Sequence, residues 1–281
     1  MTMTPKILDG KALATSMKAG LAEEAKKMSS RPGLAVILVG DNPASRVYVT
    51  SKRKDCEECG FYSEEYTLPS DTEPAQLFDL IDVLNHRNDI DGILVQLPLP
   101  SQFNEKEVLL AIDPDKDVDG FHPINVGKMM TGEECFLPCT PAGVMKLLKA
   151  GGVDVAGKHC VVLGRSNIVG KPQALLMLQQ DATVTICHSK TPDMAEYCRQ
   201  ADILVSAVGK AELITPDMVK DGVVIVDVAM NRDSNGKLCG DCCKETYEKA
   251  IAFTPVPGGV GPMTRAVLME NTLNAAKLHG K

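Results

Sequence analysis

Apolar residues fall into two kinds of pattern along this chain, and the two alternate. Leu13, Met17, Leu21 and Ala25 recur at helical spacing after Asp9, a cap-forming residue, and predict a first helix. A continuous apolar run, Leu34 to Val39, then predicts a strand buried on both faces. Pro43 to Cys59 reads as a helix opened by Asn42 and closed by Gly60, and a further helix is expected near Glu73–His86. A second buried strand, Gly92 to Leu97, stops at Pro98-Leu99-Pro100. The segment Asp113 to Pro123 is dense in Asp, Gly and Pro and predicts a loop. Beyond it come a helix near Pro141–Ala150, strands at Cys160–Leu163, Thr183–Cys187, Ile203–Ala207 and Val223–Val228, and a final helix from Thr264 to Lys277.

Strands alternating with helices predict an α/β fold with parallel sheets and helical crossovers. A chain of 281 residues suits two domains. The loop at Asp113–Pro123 is the expected junction, with an N-terminal domain over 1–120, rejoined by the last helix at 264–281, and a second domain over 121–263. The expected architecture is two α/β domains flanking a cleft, the second of Rossmann type.

Composition narrows the function classes. The chain is 44% hydrophobic and 24% charged, ordinary for a protein with a substantial core. No run approaches the ~18 apolar residues of a membrane span. The opening residues lack a basic-then-apolar leader, so a cytoplasmic location is expected. A net charge of −7 argues against a nucleic-acid surface. The ten cysteines are expected as thiols. Two C-x-x-C spacings occur, Cys56/Cys59 and Cys239/Cys242, but they lie far apart with no histidine beside either, so no metal site is expected.

HCVVLGRSNIVGKP is a strand leading through glycines into a helix, the arrangement that lets backbone approach a pyrophosphate at a helix N-terminus. It departs from G-x-G-x-x-G: Ser166 stands at the second glycine position and Gly170 comes one residue late. The next strand, TVTIC, ends in His188-Ser189-Lys190 without the carboxylate that binds a ribose 2′-hydroxyl. Ser189, Arg165 and Lys190 would instead welcome a 2′-phosphate, so NADP is expected over NAD. In the first half, Tyr48 and Lys52 share a face of the predicted helix. Gln96 ends a buried strand where open α/β sheets bind ligands, and Asp119 lies in the junction loop. Taken singly, the Tyr48/Lys52 spacing reads better as a surface pair and Asp119 as a turn-forming residue, so the four do not by themselves make an enzyme.

The runs SRVYVTSKRKDCEECG, DGILVQLPLP, DKDVDGFHPINVG, CTPAGV, GRSNIVGKP and TPVPGGVGPMT, in that order and spacing, resemble the bacterial bifunctional methylenetetrahydrofolate dehydrogenase/methenyltetrahydrofolate cyclohydrolase family. The resemblance covers nearly the whole chain. It implies oxidation of a folate-bound methylene with NADP, followed by hydrolysis of the methenyl product to the formyl derivative in one active site. It implies a catalytic set of Lys52, Tyr48, Gln96 and Asp119. Substrate contacts fall on the same four residues together with Leu97 and the closing loop Pro257, Gly258 and Gly259. Gly164, Arg165, Ser166, Ser189 and Met230 fall on cofactor contacts, and a homodimer is implied. The alternatives are a dehydrogenase without the hydrolase step and a non-catalytic NADP-binding module. Three positions depart from the family pattern: Ala229 stands for a glycine, Met230 for an isoleucine, and Cys242 for a valine. They bear on cofactor affinity and leave the lysine chemistry untouched.

Overall fold

The computed structural model describes residues 4–281, which divide into two compact units. In chain order the elements begin β1 (Lys6–Ile7), α1 (Gly10–Ala25), β2 (Gly33–Val39), α2 (Pro43–Cys59), β3 (Tyr62–Leu68), α3 (Pro74–Asn85), β4 (Gly92–Val95), α4 (Glu105–Ala111) and α5 (Pro123–Thr131). They continue α6 (Cys139–Ala150), β5 (His159–Leu163), α7 (Gly170–Leu178), β6 (Thr183–Cys187), α8 (Met194–Gln200) and β7 (Ile203–Ser206). Last come β8 (Val223–Asp227), β9 (Asn231–Arg232), β10 (Leu238–Cys239), β11 (Ala250–Phe253) and α9 (Val260–Leu278), with short 3-10 helices at Pro216–Met218 and Lys244–Lys249.

One unit comprises Thr15–Cys139 and Arg265–Lys281. Its sheet is parallel, in the order β3-β2-β4. All seven residues of β2 are buried, as the continuous apolar run requires of a central strand. Ala35, Ile37 and Val39 pack with Leu77, Ile81 and Leu84 of α3 and with Ile93 and Val95 of β4. The edge strand β3, YSEEYTL, escapes the sequence pattern because it is half polar and largely accessible. Its register on β2 is held by backbone pairing, from Gly33↔Tyr62 to Val39↔Leu68.

The C-terminal part of α9 completes this unit. Asn271 Nδ2 donates to the carbonyls of Val118 (2.8 Å) and Leu137 (3.1 Å), and Lys281 Nζ meets the buried Asp91 carboxylate at 2.7 Å.

The other unit holds the remaining described residues, up to Ala14 and from Thr140 to Thr264. Its six strands are all parallel, in the order β1-β11-β8-β7-β5-β6. Such a sheet is buried on both faces by its crossovers, and β7 and β8 are apolar and buried nearly throughout.

The division differs from the expected one in two places. Lys6 and Ile7 pair with Ala252 and Phe253, which draws the first residues into the six-stranded unit. Residues 121–139 stay with the three-stranded unit. They include α5, which was not foreseen although Pro123 at its start and the left-handed Gly132 at its end are both helix signals. Among the described residues no helix is long and apolar enough to cross a membrane.

Candidate active site

Lys52 sits in the third turn of α2. Gln96 follows β4 directly, its backbone N–H donating to Ile37 O at 2.8 Å, so the central strand fixes its position. Its side-chain N–H donates to Leu97 O (2.8 Å), which turns the amide oxygen toward the lysine. Lys52 Nζ donates to that oxygen at 2.9 Å. Burial disfavours the ammonium and lowers the Lys52 pKa; the neighbouring Asp119 and Cys139 oppose the shift and Arg265 adds to it.

Asp119 lies in a loop shaped by Gly120. That residue has φ +70°, and a Cβ there would come within 2.6 Å of the Leu137 carbonyl carbon, so only glycine allows the chain to turn here. Burial raises the Asp119 pKa, opposed by Lys52 and by a hydrogen bond with Cys139. Beside it Asp117 is buried and accepts hydrogen bonds from the N–H groups of Phe121 (3.2 Å) and His122 (2.8 Å) and from Asn125 Nδ2 (2.9 Å). Desolvation still carries its pKa up to about 6. Asp117 therefore braces the loop and Asp119 remains the carboxylate next to the amine.

Tyr48, one helical turn before Lys52, is exposed, so its ring face is free to take a flat partner. Lys52, Gln96, Leu97 and Asp119 thus come together within one unit, with Tyr48 on the same helix. Sequence reasoning missed three further groups around the amine: Cys139, a buried thiol donating to Val118 O at 3.3 Å, and the Asp55–Arg265 ion pair at 2.8 Å. A buried Asp at i+3 from a lysine in a charged helix gave a signal, but its partner lies 210 residues away.

Both cysteines of the first C-x-x-C are core residues. Cys56 contacts Met269 Sδ at 3.7 Å, and burial pushes both thiols up to about 12, far from the thiolate a metal needs.

The glycine turn lies in the six-stranded unit, between β5 and α7. Gly164 has φ +114°, and its N–H donates to Cys187 O at 2.9 Å, which ties the turn to the end of β6 where Ser189 is exposed. Gly170 packs so closely that a Cβ would lie 2.3 Å from Gly164 O. Ser166 Oγ accepts the N–H groups of Val169 and Gly170, both at 3.2 Å. The serine at the second glycine position therefore caps α7, and Arg165 stands exposed beside it. This cradle fits a dinucleotide pyrophosphate: backbone approach is close, the positive end of α7 lies beside the turn, and no carboxylate stands at the end of β6.

Met230 is exposed after β8. Its neighbour Asn231 donates to Asp241, a fully buried carboxylate that also accepts from Ser206 Oγ, Val208 N, Gly209 N and Lys210 N. One side chain thereby staples the loops after β7 and β8, which no local motif foretold. The loop Pro257-Gly258-Gly259 also belongs to this unit, with Gly258 O accepting Lys11 N–H at 2.9 Å.

Comparison with known proteins bears on both units. The catalytic-domain model of the tetrahydrofolate dehydrogenase/cyclohydrolase family matches residues 8–119, and the family's NAD(P)-binding-domain model matches residues 138–280. The bifunctional protein FolD of Ruminiclostridium cellulolyticum is 56% identical over 280 residues, 98% of this chain and 99% of the relative. The structure of the FolD methylenetetrahydrofolate dehydrogenase/cyclohydrolase of Campylobacter jejuni superposes with a TM-score of 0.95 at 51% identity, covering 98% of this chain and 99% of that one. The FolD of Trypanosoma brucei, solved with NADP cofactor and inhibitor, gives a TM-score of 0.94 at 38% identity, covering 99% of each chain.

Proposed function

Since the chain belongs to the tetrahydrofolate dehydrogenase/cyclohydrolase family, we propose that it oxidises 5,10-methylenetetrahydrofolate with NADP and hydrolyses the methenyl product to 10-formyltetrahydrofolate, with Lys52 as the proton-transfer group. The observation that carries the residue assignment is the Lys52 amine, drawn out of water, held by a neutral amide oxygen and faced by Asp119.

NADP bound here would supply the hydride acceptor for the methylene carbon, whose oxidation to the methenyl cation the folate nitrogens stabilise. The Gly164–Gly170 turn and the α7 N-terminus would hold its pyrophosphate, with Ser189 and Arg165 toward a 2′-phosphate and Met230 toward the remaining nucleotide. Hydride transfer requires no acid or base from the protein, so positioning is what the chain contributes. Tyr48 offers its ring to the pterin, and Asp119 accepts hydrogen bonds from pterin N–H groups, which orients the methylene carbon.

Hydrolysis does need proton movement. Water adds to the methenyl carbon, and the free Lys52 amine takes the proton that the water sheds. The resulting ammonium returns a proton to N5 as the carbon–N5 bond breaks; the hydroxyl proton leaves to solvent and a formyl group remains on N10. An ordinary lysine, with a pKa of ~10.4, would seldom be free at neutral pH. Burial corrects this, and Gln96 can hold the amine without neutralising it. Hydrolysis therefore rises with pH through the lowered Lys52 pKa, whereas hydride transfer does not follow that limb. Pro257, Gly258 and Gly259 are assigned to closure over the substrate, and a homodimer in the cytoplasm goes with this reading.

Purified protein given methylenetetrahydrofolate and NADP should yield the formyl product with no build-up of methenyl absorbance. Accumulating methenyl would reduce the protein to a dehydrogenase, and absence of NADPH would remove the enzymatic reading.

A further inference from the structure

Lys52 is flanked on its own helix by two points that a single side chain holds. Arg265, on α9, directs Nη1 to the Asp55 carboxylate at 2.8 Å and to the backbone carbonyl of Ser51 at 3.4 Å. Ser51 immediately precedes Lys52 and Asp55 follows it by one helical turn, so the guanidinium grips α2 on both sides of the amine-bearing residue. Asp55 is 1% exposed, and its other oxygen meets Lys18 Nζ of α1 at 2.6 Å. Lys18 in turn pairs with Glu58. A buried carboxylate between two cations on different helices is costly to disturb from either side. The arrangement accordingly locks α1, α2 and α9 around this turn.

The grip has an electrostatic side. The charged or titratable groups acting on the Lys52 amine are Asp119 from the junction loop, Cys139 from the start of α6, Cys56 from α2 and Arg265 from α9. Asp119 favours a protonated amine, as the two cysteines would only as thiolates, and Arg265 alone among these neighbours opposes it. A guanidinium keeps its charge throughout the working pH range, whereas burial keeps the Cys56 and Cys139 thiols protonated and neutral there, so the opposing charge that matters is that of Asp119. Asp55 supplies the countercharge that makes a cation tolerable so close to a second one.

We propose that Arg265, anchored by Asp55, is a positioning residue for Lys52: it fixes the helical turn that carries the amine and keeps a permanent positive charge beside it. The inference rests on Lys52 being the proton-transfer group of hydrolysis. It assigns function to a pair of residues that otherwise reads as an ordinary structural ion pair.

Charge and scaffold make different predictions, because the two partners carry opposite signs. The test is the pH–rate profile of hydrolysis with methenyltetrahydrofolate supplied directly, with hydride transfer as the reference activity. In Arg265→Met the rising limb moves to higher pH by about one unit, giving about tenfold slower hydrolysis at pH 7 that recovers in alkali. In Asp55→Asn, which leaves the cations unopposed, the limb moves to lower pH. Arg265→Lys keeps the charge and returns the limb close to its original place.

A role confined to folding would instead lower both activities and the melting temperature, with every limb unmoved; that result, or limbs shifting in the same direction in the Met and Asn variants, overturns the proposal. If Arg265→Met fails to fold, Asp55→Asn and Arg265→Lys decide alone: a downward shift in the first with an unmoved limb in the second supports it, and any other pair of results overturns it. Lys52→Met keeps the two readings apart. Full hydrolysis in that variant defeats the assignment of the lysine itself, whereas its loss alongside unmoved Arg265 and Asp55 profiles defeats only the clamp.

Discussion

The two units both bury charge, but the carboxylates that staple the loops of one are treated in the opposite way to the amine and carboxylate of the other's candidate site. In the six-stranded unit Asp241 collects five donors and Asp227 three, from Asp241 N, Cys242 N and Tyr247 Oη. Those carboxylates are saturated, and their work is to hold loops still. In the three-stranded unit Lys52 has a neutral amide acceptor, and Asp119 is disfavoured as an anion by its own burial. A saturated buried charge gives rigidity, because removing a partner strands the others. An incompletely compensated one sits near the point where its proton can move. Binding a cofactor asks for the first and acid–base chemistry for the second.

Four changes would break or sharpen that contrast. The largest effect is expected from Lys52→Met. Hydrolysis should fall by about 10²–10⁴-fold, the usual worth of a positioned proton-transfer group, while hydride transfer stays measurable. Single-turnover assays of each step distinguish the two, and equal loss of both would make Lys52 a binding residue only.

Next comes Asp241→Ala, which strands buried donors from the loops after β7 and β8. We expect a loss of about 2–4 kcal/mol in stability, read by denaturant unfolding of the isolated protein. A stability change below about 0.5 kcal/mol would show that the staple carries no load.

Gly170→Ala is expected to raise the KM for NADP by roughly tenfold, an order-of-magnitude figure equivalent to about 1.4 kcal/mol of binding. The added methyl forces the turn away from Gly164 O, yet hydrolysis of supplied methenyltetrahydrofolate should be spared. A defect in that hydrolysis would mean the units are less separable than their chemistry implies.

The smallest effect is expected from Ser189→Asp, which places a carboxylate at the end of β6. Preference should move from NADP toward NAD by several-fold, seen as a ratio of kcat/KM values. An unchanged ratio would remove Ser189 from the 2′-phosphate contact.

Much of this was legible in one dimension because the relevant physics is local. The run Leu34–Val39 reads as a doubly buried strand, and the observed β2 has every residue inside. The turn from Gly164 to Gly170 reads directly as a close backbone approach, and the structure gives both glycines reasons that no Cβ could meet. The edge strand β3 was invisible since its side chains are polar, and the bonds that make it a strand come from β2. Helix α5 was readable from its ends but lost among the loop residues before it.

Sequence alone determined the α/β class, the parallel sheets and the glycine turn, through patterns that span a few residues, and the resemblance to a known family singled out Lys52 as the candidate amine. Only the tertiary structure decided which groups share space with that lysine. Arg265 reaches Asp55, and Asp241 reaches the loops after β7 and β8, across separations that no period encodes. Burial sets the proton affinity of an amine, and burial is a property of the packed chain.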